Sequence, residues 1–131
     1  MPKKHLNPAS LFPSVEHGFS QVVVAVGTTT VSISGHTAWD ANRQIVGRDC
    51  AEQARYALQN VRIAVEAAGG TLADIVALRI YVVDIAANRG EVGRVLTDVF
   101  TTNPPTSTWI GVSSLALPEF LIEIEATAVL E

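Results

Sequence analysis

The sequence predicts an α+β domain in which two helices pack on one face of a mixed sheet. Three patterns predict it: stretches that alternate or run apolar as strands do, two stretches whose apolar residues recur at steps of three and four, and Gly or Pro signals at the joins. The predicted order is strand, strand, helix, strand, helix, strand, strand.

Residues 21–26 form a Val/Ala run ended by Gly27 and a threonine triplet, and residues 30–34 alternate Val31 and Ile33 with Ser32 and Ser34. Together they read as a hairpin. Residues 36–48 carry Asp40, Asn42 and Gly47, which suits a loop with a short strand at residues 44–46. The clearest element is a helix over residues 49–68, with Ala51, Ala54, Leu58, Val61, Val65 and Ala68 on one face. Asp49 caps its first turn with Glu52 three residues on, and Gly69-Gly70 supplies the left-handed backbone that ends it.

Residues 76–84 alternate Val76, Leu78, Ile80 and Val82 with Ala77, Arg79, Tyr81 and Val83, a strand largely apolar on both faces. A second helix over residues 89–100 presents Val92, Val95, Leu96 and Val99, and Pro104-Pro105 stops it and opens a strand over residues 106–112. The last strand, residues 120–130, puts Phe120, Ile122, Ile124, Ala126 and Ala128 on one face and Leu121, Glu123, Glu125, Thr127 and Val129 on the other. Two helices cover one face only. Leu121, Val129, Tyr81 and Val83 would leave an apolar patch on the second, so further copies of the chain are expected to bury it in a closed symmetric oligomer.

The chain has 131 residues, 48% of them hydrophobic and 17% charged, enough for one domain over residues 1–131 with its own core. Cys50 is the only cysteine, so no internal disulfide forms, and His5, His17 and His36 lack the spacing of metal ligands. Thirteen acidic residues against nine basic give a net charge of -4, and no two arginines are adjacent. This weighs against a nucleic-acid partner. No segment approaches the roughly 20 apolar residues of a membrane span, so the chain is expected to be a soluble cytoplasmic protein.

Two constellations could carry chemistry. Glu123 and Glu125 share a strand face among apolar neighbours, where a carboxylate can take or position a proton, although a rim position or pairing with Arg79 is the plainer reading. The strand end Ser34-Gly35-His36-Thr37 offers a close backbone approach at Gly35 and a titratable ring at His36, or simply a hairpin exit with a surface histidine. There is no G-x-S-x-G elbow and no phosphate-cradling loop. Trp39 and Trp109 read as packing residues.

Several segments together resemble the Rid/YjgF family, also described as endoribonuclease L-PSP. They are Gly18-Phe19-Ser20-Gln21, Ile33-Ser34-Gly35-His36, QARYALQN at 53–60, VEAAGGTLAD at 65–74, YVVD at 81–84, PPTST at 104–108 and PEFLIEIEA at 118–126. The resemblance implies a chorismate-mutase-like subunit in a homotrimer, its sheets lining a central barrel and its ligand sites between subunits. It also implies deaminase chemistry: hydrolysis of a reactive enamine or imine to a 2-oxo acid and ammonia, with no cofactor and with a last-strand glutamate positioning the water. By position that glutamate is Glu123, and the strand-end Ser-Gly is Ser34 and Gly35.

The arginine that grips the substrate carboxylate in a Pro-Ala-Arg-Ser/Thr pattern falls on Ser107 and is missing. Phe19 stands where a tyrosine is common, and His36 where a glutamine is. A serine offers one neutral hydrogen bond in place of a bidentate fork, and a loss of about 1.5 to 3 kcal/mol weakens carboxylate capture roughly ten- to a hundredfold. The resemblance is therefore to an arginine-lacking branch. Its pocket, lined by Phe19, Ser34, Gly35, His36, Ser107, Trp109 and Glu123, is expected to be more aromatic and less cationic, with Glu123 and His36 as the catalytic pair. The alternative is a non-catalytic trimer that binds a small molecule, and a ribonuclease is disfavoured by the acidic balance.

Overall fold

The computed structural model describes residues 3–131. Its elements are β1 (Lys3–Leu6), β2 (Val22–Ala25), β3 (Thr29–His36), α1 (Cys50–Ala67), β4 (Ile75–Val83), α2 (Ile85–Val99), β5 (Thr106–Val112) and β6 (Ile122–Leu130). Strands β3, β6, β4 and β5 lie in that order in one sheet, with β4 and β5 parallel and the other pairs antiparallel. The fold is thus α+β with a mixed sheet, as predicted.

The helices sit on one face because one face is apolar. Leu78, Ile80 and Val82 of β4 and Ile122, Ile124, Ala126 and Ala128 of β6 are buried beneath Ala54, Leu58, Val61 and Val65 of α1 and Val92, Val95 and Leu96 of α2. α1 packs on β6 and β3, and α2 on β4, β5 and α1. Asp49 caps α1 as expected, its carboxylate accepting from the Glu52 N–H at 2.8 Å, while Glu52 Oε1 accepts from the Arg48 N–H at 2.8 Å. This supplies acceptors to donors at the helix start that have no intrahelical partner.

The hairpin expected from residues 21–26 and 30–34 does not form. β2 pairs instead with β1, Leu6 opposite Val22, in a separate two-stranded ribbon, and β3 pairs with β6. The chain is turned away at Gly27, where any side chain would stand 2.5 Å from the Leu130 carbonyl, and Thr28 N–H bonds that same carbonyl at 3.0 Å. Residues 44–46 contribute only one bridge, Ile45 to Trp39. α2 begins at Ile85, four residues before the expected Arg89. Asp84 adopts a left-handed conformation with φ 51°, and its carbonyl accepts from the Ala87 and Asn88 N–H groups, so Ala86 and Ala87 join the helix although they add nothing to its apolar stripe.

On the uncovered sheet face, Tyr81 and Glu123 are cross-strand partners, as are Arg79 and Glu125. The face is more polar than expected: the Tyr81 hydroxyl donates to Glu125 Oε1 at 2.6 Å, and Leu121, Tyr81, Val83 and Val129 are half-buried. The most exposed large apolar side chains lie elsewhere, including Val22, Val24 and Val26 in and beside the ribbon and Phe12 near the cleft described next.

Candidate active site

The residues singled out in the sequence fall into two groups on opposite faces of the sheet. In the first, β3 bulges between Ile33 and His36, which pair with Ala126 and Ile124, so Ser34 and Gly35 together face one residue of β6. Bulges re-aim side chains and are common beside functional sites. Glu123 lies directly over the bulge. A methyl group on Gly35 would stand 2.5 Å from Glu123 Oε2, so the absence of a side chain at 35 gives the half-buried carboxylate its place.

His36 follows at once, half-buried; burial lowers its pKa from the ordinary 6.5, and the Glu123 charge works against that shift. Its imidazole is therefore mostly neutral at neutral pH, able to accept or to donate a proton. The segment after it is fixed by Asn60 of α1, whose side-chain amide donates to the carbonyls of Thr37 at 3.0 Å and Trp39 at 3.1 Å.

The second group lines a cleft of about 910 Å³ between β5, α2 and the segment before β2. Ser107 and Trp109 pair with Leu78 and Ile80, which places them on the helix-covered face. The Trp109 indole N–H donates to Ser107 Oγ at 2.6 Å, which occupies an acceptor site of the hydroxyl and leaves its proton to donate. Phe19 meets Trp109 with ring centroids 6.0 Å apart, and Trp109 also packs against the core, so it serves both packing and cleft. Trp39 stacks at a tilt on buried Phe120 and is a packing residue.

Among the contributors to this cleft that sequence reasoning missed are Phe12, His17, Arg89 and Arg94. Two of them are arginines, which join Phe19, Ser107 and Trp109 in lining the cleft. They were not singled out because isolated arginines beside glycines read as a solvated helix face. Within one chain the two groups stay apart, for β3 and β5 are the two edges of the sheet, about 14 Å from each other at ordinary strand spacing.

No three His, Cys, Asp or Glu side chains among the described residues converge as metal ligands would, and no described helix is long and apolar enough to cross a membrane. Cys50 is buried, and burial with the charges of Glu91 and Asp49 pushes its thiol up to about 11, so it is no nucleophile.

Residues 10–130 match the family described as endoribonuclease L-PSP. The chain belongs to that family, Rid/YjgF. A similar Rid/YjgF structure is that of YyfB from Yersinia pestis, of the conserved Rid protein family, at 41% identity and TM-score 0.91 over 99% of this chain and 100% of that one. Rv2704 from Mycobacterium tuberculosis is 35% identical with TM-score 0.70, covering 98% of this chain and 100% of its own. YjgF from E. coli is 32% identical with TM-score 0.73, over 82% and 85%. Rid/YjgF membership agrees with the order and spacing of the motifs found in the sequence.

Proposed function

We propose that the protein is a homotrimeric hydrolase of reactive enamines or imines, each of whose sites is completed by two chains. The observation that carries this reading is the separation of the two groups. Glu123 and Gly35 face outward on the uncovered side of the sheet, whereas Phe19, Ser107 and Trp109 line a cleft on the helix side at the opposite edge. A small ligand touching both must lie between one chain's cleft and a neighbour's uncovered face. Cyclic, heterologous packing of that face supplies such a neighbour, and closes the site against bulk water.

The chemistry needs only water and a positioned base. Glu123 accepts a proton from a water as its oxygen adds to the imine carbon, giving a carbinolamine. The nitrogen is protonated, the carbon–nitrogen bond breaks, ammonia leaves and the carbonyl forms, so imine plus water gives oxo compound plus ammonia. An enamine enters after protonation at carbon. His36, neutral and next to Glu123 in the charge field, is placed to carry one of these protons.

The second reading is a trimer that binds a small molecule without turnover. Ser107 at the arginine's position favours it, because a hydroxyl holds a carboxylate less firmly than a guanidinium fork.

The test is ammonia release from freshly generated 2-imino acids, small and bulky, by the wild type and by Glu123→Gln. Loss of the base should lower turnover about a hundredfold or more. Co-refolding Glu123→Gln with Ser107→Phe, which obstructs the cleft, should recover part of the activity that neither variant has alone. Turnover unchanged in Glu123→Gln removes that residue from the mechanism, and no turnover by an intact wild-type trimer leaves the binding protein.

A further inference from the structure

We propose that Arg89 and Arg94 of α2 form an anion grip in the cleft, in place of a strand arginine, and that the cleft takes a carboxylate attached to a bulky apolar or aromatic body. The inference rests on the reading of this cleft as the ligand half of the site.

Three independent features support it. The first is where the arginines stand. At 100° per residue, taking Arg89 as the origin, Gly93 lies at about 40°, Thr97 at about 80°, Gly90 at about 100° and Arg94 at about 140° around the helix axis. The two guanidiniums therefore flank a strip of α2 bare of large side chains. All five residues line the cleft. Two mid-helix glycines destabilise a helix. Packing demands neither: a Cβ at Gly93 would stand in ordinary contact, 3.4 Å from the Trp109 ring, and around Gly90 there is nothing within 4 Å. What Gly90 preserves is open space between the arginines.

The second is charge. Two carboxylates, Asp98 and Glu16, line the cleft with these arginines, and each has a neighbour of its own. Asp98 Oδ2 is held by Arg55 of α1 at 2.8 Å, and Glu16 lies 3.3 Å from the His17 ring. Among the described residues neither Arg89 nor Arg94 has a hydrogen-bond or ion-pair partner. Two unpartnered cations on one concave wall suit a ligand anion, and guanidinium forks match a carboxylate. The Ser107 hydroxyl, with its proton free to donate, faces the same cleft.

The third is size and surface. The cleft measures about 910 Å³ before any neighbouring chain closes it, room for more than a three- or four-carbon acid. Its walls hold two aromatic pairs, Phe19 with Trp109 at 6.0 Å and Phe12 with His17 at 5.1 Å. Phe12 is 57% exposed, so its ring offers apolar surface to a ligand in the cleft.

The test uses stable probes, phenylpyruvate and its methyl ester, with pyruvate for size, titrated calorimetrically into the assembled protein. Wild type should bind phenylpyruvate at least tenfold more tightly than the ester, and more tightly than pyruvate. Arg89→Gln/Arg94→Gln should lose the preference for acid over ester while still binding the ester, and Arg89→Lys/Arg94→Lys should keep part of it. Both arginines are exposed, so melting should be unchanged and the comparison is between folded proteins. Equal affinity of wild type for acid and ester, or a preference that survives the double Gln substitution, overturns the grip. Ammonia release, measured alongside, judges the hydrolytic reading separately: arginine-dependent acid preference without turnover sinks hydrolysis and upholds the grip.

Discussion

At the scale of single residues, Glu123 lies so close over Gly35 that position 35 has no room for a side chain. A methyl at position 35 would fall 2.5 Å from Oε2, 2.8 Å from Cδ and 2.9 Å from Cγ of Glu123, so Gly35→Ala must displace the carboxylate. Position 35 is exposed, so the fold should tolerate the substitution. Turnover should fall at least tenfold with melting nearly unchanged, since a shift of about 1 Å in a reacting group can cost a hundredfold. Steady-state rates beside a melting curve check it, and full turnover would mean Glu123 does not act from this position. Glu123 was legible in the sequence because two carboxylates on an apolar strand are conspicuous. Gly35 was legible as a close approach but not as an approach to Glu123, because the bulge that aligns them arises from register, which alternation alone does not encode. Arg89 and Arg94 were illegible for another reason: nothing in a sequence says which solvated face of a helix borders a cleft.

The elements themselves follow local chemistry where one stretch of chain decides them, and depart from it where a distant stretch does. α1 was readable to within a residue at each end, because Asp49 and Glu52 make its start and Gly69 with Gly70 its stop. The partner of β2 was not. Val22 to Ala25 is an apolar run as a strand can be, but its pairing with β1 rather than β3 goes with Gly27 lying against the Leu130 carbonyl, more than a hundred residues away in the chain. Between these cases stands Gln53, a polar side chain buried on the apolar face of α1. It donates to the Gly47 carbonyl at 3.3 Å and the Glu119 carbonyl at 3.0 Å and accepts from the Leu121 N–H at 2.8 Å, tying the loop before α1 and the entry to β6 onto one helix. Gln53→Leu keeps a similar volume but strips partners from buried backbone groups. It should lower unfolding stability by about 1–3 kcal/mol, read from the urea midpoint, with the larger effect expected if water cannot reach Leu121 N–H. A midpoint within error of wild type would mean that solvent replaces the amide.

For the whole molecule, the question is what lies against the uncovered sheet face. Within one chain this face carries Glu123, Glu125, Arg79 and Tyr81 among half-buried Val83, Leu121 and Val129, a mixture more polar than a core and more apolar than a solvated strand face. Oligomer interfaces have that composition, with polar groups paired across strands as Tyr81 pairs with Glu125 at 2.6 Å. If three copies bury it, sedimentation equilibrium should give three times the 13.9 kDa chain at micromolar concentration. Val83→Asp then provides the sharper experiment. In a lone chain Val83 is only half-buried at the end of β4, and its backbone bonds, N–H to the Leu121 carbonyl and carbonyl to the Asn88 amide, do not involve the side chain. The fold should therefore survive, with its helical circular dichroism intact. In the assembly the same carboxylate would be enclosed without a partner, which costs several kcal/mol per copy. The variant should sediment as a monomer and lose turnover although Glu123, Ser107 and Trp109 are all present, because each chain then holds two half-sites and no whole one. A wild type that sediments as a monomer, or a monomeric Val83→Asp that still releases ammonia, would return the site to a single chain and remove the reason for reading the two groups as one.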